Sequence, residues 1–191
     1  LSVFYSLVLC LLALLILLNF NRLTIILAIG SMPLAFTYPL MKRFTYWPQL
    51  FLGIIFSLGA IISSTQINEN INSQTLLIYI ACIFWTLGYD TIYAYQDRED
   101  DIKIDLKSTA LLFENRGKIF VMTFYFLFIF FISLAKNLNN LIISDIIISF
   151  IILIFLFIYI KKWKINSIKS SGFYFKNNVY IGLLIFLYLL N

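Results

Sequence analysis

YDTIYAYQDREDDIKIDLKST, residues 89–109, decides the reading of this chain, because it places six of the nine acidic side chains directly after an apolar run. The six are Asp90, Asp97, Glu99, Asp100, Asp101 and Asp105. The preceding run, IACIFWTLG at 80–88, is uncharged. A helix that continues from it at 3.6 residues per turn stacks Asp97 and Asp101 on one face. Asp90, seven residues before Asp97, falls two turns earlier on that face, and Tyr89 and Tyr93 extend the stripe. Like charges four residues apart destabilise a helix unless a cation sits between them. Magnesium is the natural candidate, since it takes oxygen ligands and is usually held by one or two carboxylates plus substrate phosphates. The alternative is a solvated loop whose charges keep it soluble. Asp90 weighs against that alternative, because a carboxylate following an apolar run is costly and by default marks a functional site.

The rest of the chain is lipid-like. It has 191 residues, 62% hydrophobic and 12% charged, with a mean hydropathy of +0.94. That is more apolar surface than a soluble domain buries, so an integral membrane protein is expected. There is no histidine, which removes the usual zinc sites and any Ser-His or Cys-His nucleophile. Chemistry here must rest on carboxylates, tyrosines, basic side chains and bound metal. Cys10 and Cys82 both lie in apolar runs and read as packing residues. Membrane lipid is the expected surrounding, and no nucleic-acid partner is expected.

A bilayer-spanning helix needs about 20 apolar residues. Seven runs qualify, near 1–20, 24–41, 47–65, 74–95, 119–135, 146–160 and 173–190. The expected fold is therefore an all-α, multi-pass transmembrane bundle forming a single domain over 1–191, with no internal repeat. The chain opens at Leu1 with no initiator Met and no basic segment before its first apolar run. A fragment of a longer protein is expected on that ground.

Basic residues fix the orientation, because cytoplasmic loops are enriched in them. Alternate loops hold twelve of the 14 Lys and Arg, and the opposite side holds only Arg22 and Lys136. The acidic stretch is thus expected on the cytoplasmic side of a bacterial inner membrane, or on the matrix side of the mitochondrial inner membrane. The same side carries YPLMKRFTYWPQ at 38–49. Its aromatic and basic residues read either as an interfacial belt or as an anion clamp, with Arg43 gripping phosphate oxygens and Lys42 acting as a point charge. An acidic metal site on the same face favours the clamp. Asp145, near the start of the sixth run, reads as a helix-start residue, and the lysines of 161–176 as contacts for anionic headgroups.

Taken together, YPLMKRFTYWPQ at 38–49, YDTIYAYQDREDDIKIDLKSTALLF at 89–113 and NNVYIG at 177–182 resemble the 4-hydroxybenzoate polyprenyltransferases, the UbiA-type intramembrane prenyltransferases. The resemblance covers the whole chain. It implies a nine-helix bundle around a cavity with two Asp-rich motifs at its mouth. Asp97 and Asp101 match the second motif, DxxxD, which holds magnesium on the prenyl diphosphate. Arg43, with Lys42 beside it, matches the basic position expected to bind the diphosphate or the acceptor carboxylate, and Asp90 and Tyr93 match positions on the same helix face. The implied reaction transfers a polyprenyl group from polyprenyl diphosphate to the ring of 4-hydroxybenzoate, on the way to ubiquinone. Two departures stand out. The family's first motif, NDxxDxxxD, is absent, so the chain is expected to begin at the third family helix and to have little activity alone. Asp105 also stands where many relatives have glycine. The competing expectations are the same chemistry on another acceptor, a cation transporter, or a truncated remnant without activity. Isoprenoid length and oligomeric state are not legible.

Overall fold

The computed structural model describes residues 2–190, and the side chains of residues 4–190. Among them lie nine α-helices and no strand. They are α1 (Ser2–Leu17), α2 (Arg22–Phe44), α3 (Pro48–Asn68), α4 (Ser73–Lys103), α5 (Thr109–Phe113), α6 (Gly117–Lys136), α7 (Ile143–Lys161), α8 (Ile168–Lys176) and α9 (Asn178–Leu190). Six helical stretches are long and apolar enough to cross a membrane, with α5 to α6 and α8 to α9 each counting as one. The seventh expected span, α1, has 16 residues. It stays exposed along nearly its whole length, Cys10 included.

The helix starts follow from single polar residues. Asn21 accepts the Thr24 N–H at 2.9 Å and Asn72 accepts the Thr75 N–H at 2.8 Å, each satisfying a free backbone donor of the first turn. Pro48 opens α3, where its missing N–H costs nothing. α2 runs through both Pro33 and Pro39 without ending. The last expected span is divided at Asn177 into α8 and α9.

α4 is the centre of the bundle and packs against α3, α6 and α8. Burial explains how. On α6 the buried positions Val121, Phe124, Tyr125, Phe128, Ile132 and Ala135 recur at three and four residues, the spacing of one helix face. Away from that face Ile119, Phe126 and Phe130 are exposed. Gly88 lets α6 approach, since a Cβ there would sit 2.8 Å from the Tyr125 ring. At the end of the bundle away from the acidic stretch, Lys136 Nζ lies 3.5 Å from Asp145 Oδ1 and donates to the Tyr188 carbonyl at 2.6 Å. Asp145 thus sits in the first turn of α7, as expected of a helix-start residue, and also joins α6, α7 and α9.

Candidate active site

α4 continues unbroken through the acidic residues to Lys103. Asp90, Asp97 and Asp101 are therefore on one helix face, and Asp90 lies about 16 Å along the axis from Asp101. The C-terminal end of α2 meets this face. Lys42 Nζ donates to Asp101 Oδ1 at 3.2 Å and lies within electrostatic reach of Asp90 and Asp97. Tyr38, one turn earlier on α2, reaches Asp90, Tyr89 and Tyr93 in the same way. The two sequence stretches that looked informative separately are one surface in the fold.

Placement differs among the expected site residues. Lys42, Asp90, Asp97, Asp101 and Tyr93 come together. Tyr93 sits one turn from Asp97, with its ring 4.9 Å from Phe175 of α8. Arg43 is exposed, with no ion-pair or hydrogen-bond partner among the described residues. Asp101 is 3% exposed and Oδ2 of its carboxylate has no hydrogen-bond partner.

Such an orphaned buried oxygen is expensive unless a ligand completes it. Asp101 Oδ1 meets the Lys42 ammonium, and the Asp97 carboxylate, one turn earlier on α4, is within electrostatic reach; carboxylate oxygens suit a hard cation such as magnesium. No group of three or more potential metal ligands exists among the described residues. Two carboxylates, Asp97 and Asp101, leave coordination positions for phosphate oxygens, and on these grounds the residues present fit the metal.

Sequence reasoning missed the polar scaffold holding the site. Gln49, 2% exposed, accepts the Thr109 N–H at 3.1 Å, and the Thr109 hydroxyl pairs with that of Thr91 at 2.9 Å. The Lys107 N–H donates to the Lys42 carbonyl at 2.8 Å, and its ammonium lies 5.5 Å from the Tyr46 ring. Residues 104–109 are thereby stapled to the turn between α2 and α3. The available signal was a glutamine beside Pro48 at the start of an apolar helix, a position where a buried amide must have partners.

Beneath the acidic end, a cavity of about 580 Å³ runs between α3, α4, α8 and α9. Its walls include Phe56, Ala60, Cys82, Trp85, Tyr89 and Phe175. Trp85 stacks on Phe128 with centroids 5.6 Å apart and meets the Tyr89 ring edge-on at 5.7 Å. One aromatic wall thus climbs from mid-bundle to the carboxylates.

The chain is similar in sequence to several enzymes. Over 110 residues it is 50% identical to 4-hydroxybenzoate geranyltransferase 2 of Lithospermum erythrorhizon, an overlap of 57% of this chain and 36% of that protein. Over 121 residues it is 45% identical to the mitochondrial 4-hydroxybenzoate polyprenyltransferase of Arabidopsis thaliana, covering 63% and 30%. Over 183 residues it is 37% identical to 4-hydroxybenzoate octaprenyltransferase of Escherichia fergusonii, covering 94% and 62%. The chain thus spans between 30% and 62% of the length of these relatives. No solved structure matches. Residues 2–187 match the UbiA prenyltransferase family, and the chain belongs to that family.

Proposed function

We propose that the protein of which this chain is part transfers a polyprenyl group from polyprenyl diphosphate to the ring of 4-hydroxybenzoate, as a step toward ubiquinone. The observation that carries the reading is the pairing of two chemistries at one place. Carboxylates of α4, one with an orphaned oxygen, face the Lys42 ammonium, and on the same helix an apolar, aromatic-walled cavity reaches Tyr89, next to Asp90, and Phe175, whose ring meets Tyr93. A diphosphate with a long hydrocarbon tail needs both. The activities in the names of the relatives agree.

In this reading Asp97 and Asp101 hold magnesium. Bound there, the metal supplies positive charge to the leaving diphosphate. Lys42 supplies a second positive charge from α2, and exposed Arg43 closes over the diphosphate or takes the acceptor carboxylate. Tyr93 and Asp90 bound the reacting space on α4. The allylic C–O bond breaks with its electron pair going to the diphosphate, the ring carbon ortho to the phenolic oxygen forms the new C–C bond, and that carbon then loses its proton. Trp85, Tyr89 and Phe175 line the tail and keep water from the allylic carbon. The lysine and arginine bias of the loops supports a cytoplasmic or matrix orientation for this end of the bundle.

The test uses the full-length protein in membranes, supplied with polyprenyl diphosphate and 4-hydroxybenzoate. Prenylated 4-hydroxybenzoate should form with magnesium and be abolished by a chelator or by Asp97→Ala. Transfer to a different acceptor in preference to 4-hydroxybenzoate would overturn the acceptor, and ion flux indifferent to prenyl diphosphate would overturn the reaction.

A further inference from the structure

A second cavity, of about 290 Å³, opens at the same end of the bundle but shares no residue with the acidic face. It lies between the last turns of α4 and the loop joining α7 to α8, and its walls include Tyr95, Arg98, Glu99, Ile102, Asn166 and Ile168. Its size is at the lower limit of ligand pockets and too small for a polyprenyl chain.

The feature needing an explanation is Arg98. Its Nε is buried and has no hydrogen-bond partner. None of the ion pairs among the described residues includes it. Its guanidinium carbon stands 6.0 Å from the Tyr95 ring centroid, at the weak edge of a cation–π contact. A guanidinium presents five donors and stays charged, so a partly buried one without a carboxylate is unfinished.

The surroundings are rigid. Tyr95 donates to the Glu114 carbonyl at 2.5 Å, and its ring packs edge-on against the fully buried Trp163 at 5.2 Å. The Trp163 indole donates to Ser171 at 3.1 Å. This holds the loop between α7 and α8 against α4.

The surroundings are also positive. The loop and the helix ends beside it expose Lys161, Lys162, Lys164 and Lys169, and no acidic residue occurs anywhere from 146 to 191. The one carboxylate in the cavity wall is Glu99, itself exposed. Beside the cations, Ile102 is 60% and Ile168 52% exposed. Exposed isoleucines among lysines at the end of a membrane bundle describe the boundary between headgroups and acyl chains.

We propose that this cavity binds the phosphate of an anionic membrane phospholipid, with Arg98 and Asn166 as hydrogen-bond donors and the four lysines as the attracting field. The acyl chains leave past Ile102 and Ile168. Glu99 opposes the anion and limits its affinity. The site stands apart from the reaction proposed above and does not depend on it.

The test measures lipid retained by the full-length protein purified in detergent, by native mass spectrometry, with phosphatidylglycerol and phosphatidylcholine added in equal amounts. Phosphatidylglycerol should be retained preferentially. Arg98→Gln should lose at least fivefold of that preference, roughly the effect of one basic residue at an anionic surface, and Glu99→Gln should raise it. A merely structural role for Glu99 predicts no gain. Should Arg98→Gln fail to fold, replacement of the four lysines by glutamine takes its place, with the same loss expected. Unchanged preference in these variants overturns the proposal. Equal competition by inorganic phosphate at the lipid's concentration also overturns it, by assigning the pocket to a free anion.

Discussion

Lys42 Nζ and Asp101 Oδ1 stand 3.2 Å apart, joining the ends of α2 and α4 across 59 positions of sequence. The Lys42 side chain is 28% exposed and that of Asp101 only 5%. Without metal, Lys42 is the cation that offsets a nearly buried carboxylate. Lys42→Gln should therefore lower stability by about 1–3 kcal/mol, the cost of an under-satisfied buried group. Magnesium with a diphosphate should recover most of that loss by binding the folded state. Thermal unfolding of the full-length protein with and without magnesium diphosphate checks both. Equal destabilisation in the two conditions would show that Lys42 and the metal do not share Asp101.

Asp105 is in the left-handed region, with φ 52, where glycine carries no Cβ penalty and aspartate only a modest one. That backbone suits the glycine from which Asp105 departs in the family resemblance. Asp105→Gly should leave activity unchanged and stabilise by up to about 1 kcal/mol, while Asp105→Val should cost about 1–3 kcal/mol. Unfolding midpoints of the two variants give the ordering.

Asn178 Oδ1 accepts the Tyr125 hydroxyl at 2.7 Å and the Trp85 indole N–H at 3.4 Å, and its amide donates to the Tyr174 carbonyl at 2.9 Å. Trp85 is wedged over Gly182, where an added Cβ would sit 2.7 Å from the indole. Asn178→Leu should strand the fully buried Tyr125 hydroxyl at about 1–3 kcal/mol and free Trp85 to turn in the cavity wall. The second effect should widen the range of prenyl chain lengths used. Competition between short and long prenyl diphosphates separates it from simple destabilisation, which lowers all rates alike.

Much of this was readable in the sequence because the membrane simplifies the problem. Apolar run length gave the spans, and the spacing of Asp90, Asp97 and Asp101 gave one helix face, which held because α4 continues to Lys103. Boundaries were less legible. The last expected span separated at Asn177 into α8 and α9. Long-range polar contacts were not legible at all. Gln49 and Thr109 are 60 positions apart, and no local periodicity reports a hydrogen bond between loops. Nor could composition show that Lys42 pairs with Asp101 while its neighbour Arg43 stays exposed, since adjacent residues of a helix point about 100° apart.

The two carboxylates of the proposed metal site should not behave alike when removed. Asp101 is buried and already paired, whereas Asp97 is partly exposed, with no hydrogen bond of normal geometry to a neighbouring helix among the described residues. Asp97→Ala should cost activity by at least a hundredfold, the scale of removing an electrostatic stabiliser from a reacting centre, with a change in stability below about 0.5 kcal/mol. Asp101→Ala should lose the same activity and also stability, by about 1–3 kcal/mol, because it leaves the Lys42 ammonium half-buried without its partner. Measuring prenyl transfer and unfolding on the same preparations distinguishes the two. A loss of stability in Asp97→Ala as large as in Asp101→Ala would mean that both carboxylates hold the helices together, and that the division between Asp101 as an anchor and Asp97 as a ligand is wrong.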